Sequence, residues 1–186
     1  MTLIRMAAAG LLVIAASACV SGTAQVSSSP SDGGTLLACQ DVIGSEAVPA
    51  AGDAIVLDRV ALPTARALQA NRTGDPAGRR FAKDGLFIRR GASFDLIVPD
   101  DWRGRLSINW GSPGTATDHL RVPGCRPTRT VNPIHEQDAW LVYAGGYTVS
   151  EPACVSLVVK AGQTEQTVRI GVGAACPGQA EPPPPV

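Results

Sequence analysis

The chain has 186 residues, balances 16 Lys+Arg against 16 Asp+Glu, is 45% hydrophobic and carries five cysteines. The length suits one domain of ordinary size with flanking segments and leaves no room for two full ones. Zero net charge argues against a nucleic-acid partner, since there is no basic excess to displace counterions, and the apolar share excludes a wholly disordered chain.

Arg5 is the only charged residue before Asp32, and the apolar run Met6–Ala16 follows it. A charged start, a short apolar stretch and the small residues Ser17-Ala18 form a secretory signal peptide over residues 1–18. The run is too short to cross a hydrocarbon core about 30 Å thick as a helix, so it reads as a removed leader. Ala16-Ser17-Ala18-Cys19 resembles the lipobox of bacterial lipoproteins, with Ala16 in place of the usual larger apolar residue. In that family the cysteine thiol receives a diacylglyceryl group, which implies lipidation at Cys19. The competing reading is an ordinary Ala-x-Ala cleavage site that leaves Cys19 a free thiol. Parity favours the lipobox. An exported chain with five cysteines has one to spare, and lipidating Cys19 leaves Cys39, Cys125, Cys154 and Cys176 for two disulfides. Two acyl chains hold a protein on a membrane, whereas one is marginal.

Residues 19–38 are rich in Ser and Gly and read as a lipid-anchored flexible tether. From Cys39 to Cys176 the pattern is that of strands. Weak runs over 55–60 and 85–89 precede Phe94-Asp95-Leu96-Ile97-Val98, which alternates apolar and polar. Arg105–Trp110, His119–Val122, Val155–Lys160 and Thr167–Val172 do the same, and 140–143 and 146–149 read as short strands around a turn at Ala144-Gly145-Gly146. Gly, Pro and Asp punctuate the runs, so the expected fold is an all-β antiparallel sandwich, Ig-like in architecture. One short helix is expected over Thr64–Ala70, and residues 177–186 read as a proline-rich tail. Three pairings of the four cysteines are open. The preferred one joins Cys39 to Cys176 across the domain ends and Cys125 to Cys154.

Candidate chemistry is sparse. His135, Glu136 and Asp138 share a loop and form the one constellation for a hydrolase or metal-dependent enzyme, though a single imidazole with carboxylates is a poor metal set. Asp95, Asp100 and Asp101 suggest paired carboxylates but also suit a turn. The doublets Arg79-Arg80 and Arg89-Arg90 read as a solvated face. Trp102, with Tyr143 and Tyr147 facing each other across the expected hairpin, offers an exposed aromatic patch for a protein or carbohydrate ligand. No cofactor or metal is called for, and a monomer is expected.

The segments Trp140–Val149, Pro152–Leu157 and Val168–Gly173, together with the leader, resemble secreted lipoproteins of high-GC Gram-positive bacteria that carry β-rich domains of unassigned activity. The resemblance implies location and fold, and brings no catalytic residue. The expectation is an exported, lipid-anchored protein of the cell envelope, on the extracytoplasmic side, with a non-catalytic binding or structural β-domain.

Overall fold

The computed structural model describes residues 33–126, 135 and 137–182. The expected signal peptide, Cys19, most of the tether, Glu136 and the last four residues of the tail lie outside that range.

Twelve strands run in chain order among the described residues: β1 (Thr35–Leu36), β2 (Val42–Glu46), β3 (Asp53–Val56), β4 (Val60–Pro63), β5 (Asn71–Arg72), β6 (Arg80–Arg89), β7 (Phe94–Ile97), β8 (Leu106–Trp110), β9 (His119–Val122), β10 (Trp140–Val149), β11 (Ala153–Ala161) and β12 (Thr164–Val172). They form two sheets packed as a sandwich. One has the order β1-β9-β7-β11-β12. The other has the order β2-β10-β6-β4-β3, with β5 also on β6 and β8 also on β10. Every strand pairing is antiparallel except β1 with β9, which is parallel.

The alternation seen in the sequence buries one face of each strand. In the first sheet Phe94, Leu96, Leu120, Val122, Val155, Leu157, Val159, Val168 and Ile170 point inward. The second sheet answers with Val60, Leu62, Leu86, Ile88, Leu106, Ile108, Leu141, Tyr143 and Tyr147. These residues share one continuous core. Leu96, paired between Leu120 and Val159 and pointing inward, is fully covered.

Three expectations are corrected. The cysteines pair Cys39–Cys125 and Cys154–Cys176. The parallel β1–β9 contact, with Thr35 opposite Leu120, carries Cys39 to the end of β9, where Cys125 follows. Cys154 opens β11 and Cys176 follows β12, its direct neighbour, so the two cysteines are adjacent without spanning the domain. Thr64–Ala70 is not helical. Leu68 forms a bridge beside Val172, with Leu68 N–H donating to Gly171 O and Gly173 N–H to Leu68 O, and Ala67, Leu68 and Ala70 are buried against that edge. Finally, Ala144-Gly145-Gly146 is no turn, since β10 runs unbroken from Trp140 to Val149. The sandwich also extends beyond both expected boundaries. Leu36 belongs to β1 rather than to a tether, and the Gln179 side chain donates to Thr64 O at 2.8 Å, holding the start of the tail on the body.

Candidate functional site

The strand that positions the site is β6. It is paired with β10 along its whole length, but on its other edge it meets β4 only at Phe87 and Ile88 and β5 only at Arg80 and Phe81. Between these contacts the connecting chain leaves the sheet and crosses to β12, where Arg66 bridges Ala180 and Leu68 bridges Val172. The edge of β6 is therefore split around Asp84.

Asp84 belongs to the inward row of β6, with Ala82, Leu86 and Ile88. Its neighbour across β10 is Gly145, and beyond that lies Trp110 of β8. The indole reaches over Gly145, and its Nε1–H donates to the Asp84 carbonyl at 3.2 Å. Tyr147 meets the same indole edge-on with ring centroids 5.1 Å apart. Burial pushes the Asp84 carboxyl up to about 7; Asp53 adds repulsion, while Arg66 and the Gly85 N–H pull the other way. Burial also raises Asp53, against the pull of Arg66. Arg66 thus serves two carboxyls that each resist ionisation. Tyr147 is pushed well above its ordinary value, first by burial and then by Asp84 and Asp53.

On the outer side of the same split lies a groove of about 460 Å³, lined by Arg66, Asn71, Arg72, Phe81 and Lys83 among others. None of its lining residues is acidic. Arg72 and Lys83 are exposed and have no carboxylate within 4.0 Å among the described residues. The site has an acid behind and cations in front. Neither Asp53 nor Asp84 lines the groove, so the titratable acid does not meet what the groove would hold.

The residues singled out in the sequence lie elsewhere. Tyr143 and Tyr147 are fully buried core residues on one strand, and their hydroxyls have no hydrogen-bond partner among the described residues. Burial, with Asp41 adding repulsion, pushes the Tyr143 hydroxyl up to about 12. They form no exposed patch. Trp102 is half-buried against the core, and the Arg105 guanidinium covers its ring at 4.3 Å. His135 and Asp138 are close through the backbone, but Asp138 is buried and its Oδ2 accepts from Ser45 Oγ at 2.7 Å. His135 N–H donates to the same Ser45 Oγ, and Arg90 donates to the carbonyls of both His135 and Asp138. The described part of this segment is a strap onto β2. Glu136 lies outside the described residues, and no group of three His, Cys, Asp or Glu among them is placed to hold a metal.

The three carboxylates around residue 100 do not converge. Asp95 hydrogen-bonds His119 Nε2 at 3.0 Å, while Asp100 pairs with Arg103 at 3.0 Å. The arginine doublets are largely committed to their own chain: Arg79 to Asp75, Arg89 to Asp58 and the face of Trp140, and Arg90 to the strap.

The sequence reading missed Asp84, Phe81 and the cations Arg66, Arg72 and Lys83. One signal for Asp84 was present. With the strand extended back to Ala82, an aspartate interrupts the apolar inward row of Ala82, Leu86 and Ile88. Nothing local marked Arg66, which the crossing segment brings toward β6 from beyond a break in pairing, or Arg72, which sits on the two-residue strand β5.

No protein-family model matches the chain, and no curated protein and no solved structure is significantly similar to it. The two disulfides by themselves indicate an oxidising, extracytoplasmic environment. No helix among the described residues is long and apolar enough to cross a membrane.

Proposed function

We propose that the chain is an exported protein held on the extracytoplasmic face of a membrane by a diacylglyceryl group on Cys19, and that its sandwich is a non-catalytic binding module. The observation that carries the binding reading is the groove at the split edge of β6, where two cations without acidic partners among the described residues face solvent over a strand paired with β10 along its whole length. The disulfides support export, and the lipobox-like Ala16-Ser17-Ala18-Cys19 supports the anchor. Against acid–base chemistry stands geometry. Asp84, a carboxyl poised near neutral pH, faces the core beneath Trp110 and not the groove, and a catalytic acid must reach the proton it moves.

The intact mass of the protein purified from its native membrane, with and without reduction, tests the anchored part. A mature chain starting at diacylglyceryl-modified Cys19 and gaining about four mass units on reduction is expected, two hydrogens for each disulfide. An unmodified N-terminus, or a chain recovered only from the medium, contradicts it.

A further inference from the structure

We infer that the groove at the split edge of β6 binds an acidic oligosaccharide, with Arg66, Arg72 and Lys83 holding its carboxylate or phosphate and Phe81 supporting a sugar face. This rests on the reading of the sandwich as a binding module and names the ligand class of that site.

Four observations lead there. The cations come from three elements, Arg66 from the segment that crosses to the other sheet, Arg72 from β5 and Lys83 from β6, and all three line one recess. A planar guanidinium grips carboxylate or phosphate through two parallel hydrogen bonds, and Lys83 adds a point charge. Phe81 stands on the outer face of β6 two residues from Lys83, half-buried, so its ring is held while one side stays open. That combination of an aromatic face beside a charge suits a sugar ring carrying an acid. Gln69 and Asn71 add side-chain amides to the lining, and neither amide has a hydrogen-bond partner among the described residues. Neutral amides with free donors and acceptors match hydroxyls. Finally, the volume of about 460 Å³ is that of a small-ligand site and accommodates one or two sugar units.

The same features disfavour an anionic bilayer. Membrane surfaces are recognised by clusters of roughly four to eight basic residues on one juxtamembrane segment or face. Here three cations sit in a concave recess among neutral polar groups.

The experiment titrates the purified full chain with trigalacturonate and with trehalose 6-phosphate, using galactotriose and trehalose as neutral controls and phosphatidylglycerol vesicles as the competing surface. Saturable binding of at least one acidic sugar is expected, about tenfold or more tighter than its neutral counterpart. Arg72→Gln and Lys83→Gln should each weaken the acidic sugar about fivefold or more while leaving thermal unfolding unchanged, because both side chains are exposed. Phe81→Ala should weaken acidic and neutral sugars alike. Lack of saturable binding of either acidic sugar overturns the inference, as does equal binding of the neutral controls or indifference to both charge variants. Vesicle binding that exceeds sugar binding and is lost in Arg72→Gln also overturns it, in favour of a lipid headgroup. The intact mass separates the two readings. A lipidated, doubly disulfide-bonded chain that ignores the sugars defeats the inference and leaves the exported module standing.

Discussion

At the scale of single residues, the interior contains a carboxyl held near neutrality and two tyrosine hydroxyls without hydrogen-bond partners among the described residues. Asp84 titrates near 7 in the folded protein against about 3.9 in an unfolded chain. A carboxyl whose folded value is raised keeps its proton longer in the native state. Stability therefore falls as pH rises through the window from about 4 to 7, and the loss is complete above it. Urea midpoints of the disulfide-intact protein between pH 4 and 8 should show this fall, on the order of 4 kcal/mol. In Asp84→Asn the slope should shrink to the part contributed by Asp53, whose carboxyl is raised in the same direction. An unchanged slope would place the titrating group elsewhere. Tyr147→Phe removes a buried hydroxyl that lacks a partner and keeps the ring against Trp110. Its melting temperature should rise, equivalent to about 1 kcal/mol. Tyr147→Ala should instead lose about 3–5 kcal/mol through the cavity it leaves.

Among the elements, β10 carries the second sheet, pairing with β6 on one side and with β2 and β8 in succession on the other. Its two central glycines permit that crowding. A Cβ at Gly145 would lie 2.0 Å from Asn109 O and 2.5 Å from Trp110 Cδ1, and one at Gly146, where φ is 155°, would lie 2.0 Å from Ala82 O. Backbone atoms of the neighbouring strands cannot retreat from such contacts. Gly145→Ala should therefore destabilise the fold by about 3 kcal/mol or more, read as a lowered urea midpoint or as loss of soluble protein. Circular dichroism and a midpoint indistinguishable from the parent would contradict this packing.

The same glycines show why the sequence revealed some elements and hid others. Strands with one buried and one wet face, such as β9 and β11, announce themselves by a period of two. In β10 the glycines needed for close approach carry the composition of a turn, so one long strand reads as a hairpin and its core tyrosines read as a surface pair. Residues 64–70 present buried alanines and a leucine at a spacing that also suits a helix, and only the neighbouring edge of β12 decides the matter. The site was harder still. Its groove depends on where β4 stops pairing and β5 resumes, a property of strand register that no local motif encodes.

For the whole molecule, the two disulfides divide the work of holding the sandwich shut. Cys39–Cys125 closes a segment of 86 residues and joins the chain just before β2 to the chain just after β9, linking the two sheets. Cys154–Cys176 closes 22 residues and fastens the C-terminal chain to β11 within one sheet. Loop-closure entropy gives roughly 4–5 kcal/mol for the first and roughly 3 kcal/mol for the second. Serine pairs at 39 and 125 should therefore lower the urea midpoint more than serine pairs at 154 and 176. The reverse order would mean that native contacts, not the unfolded chain, decide the difference.

The position of the first disulfide has a mechanical side as well. Tension arriving along the N-terminal segment enters through the short β1 strand and reaches Cys39 within three residues of Leu36. The groove residues 66–83 lie inside the ring that Cys39–Cys125 closes. A pull between the N-terminus and an object gripped in the groove is thus shared by two covalent routes, one running forward from residue 39 and one crossing the sulfur bridge and running back from residue 125. The first disulfide makes the proposed groove part of a covalent ring.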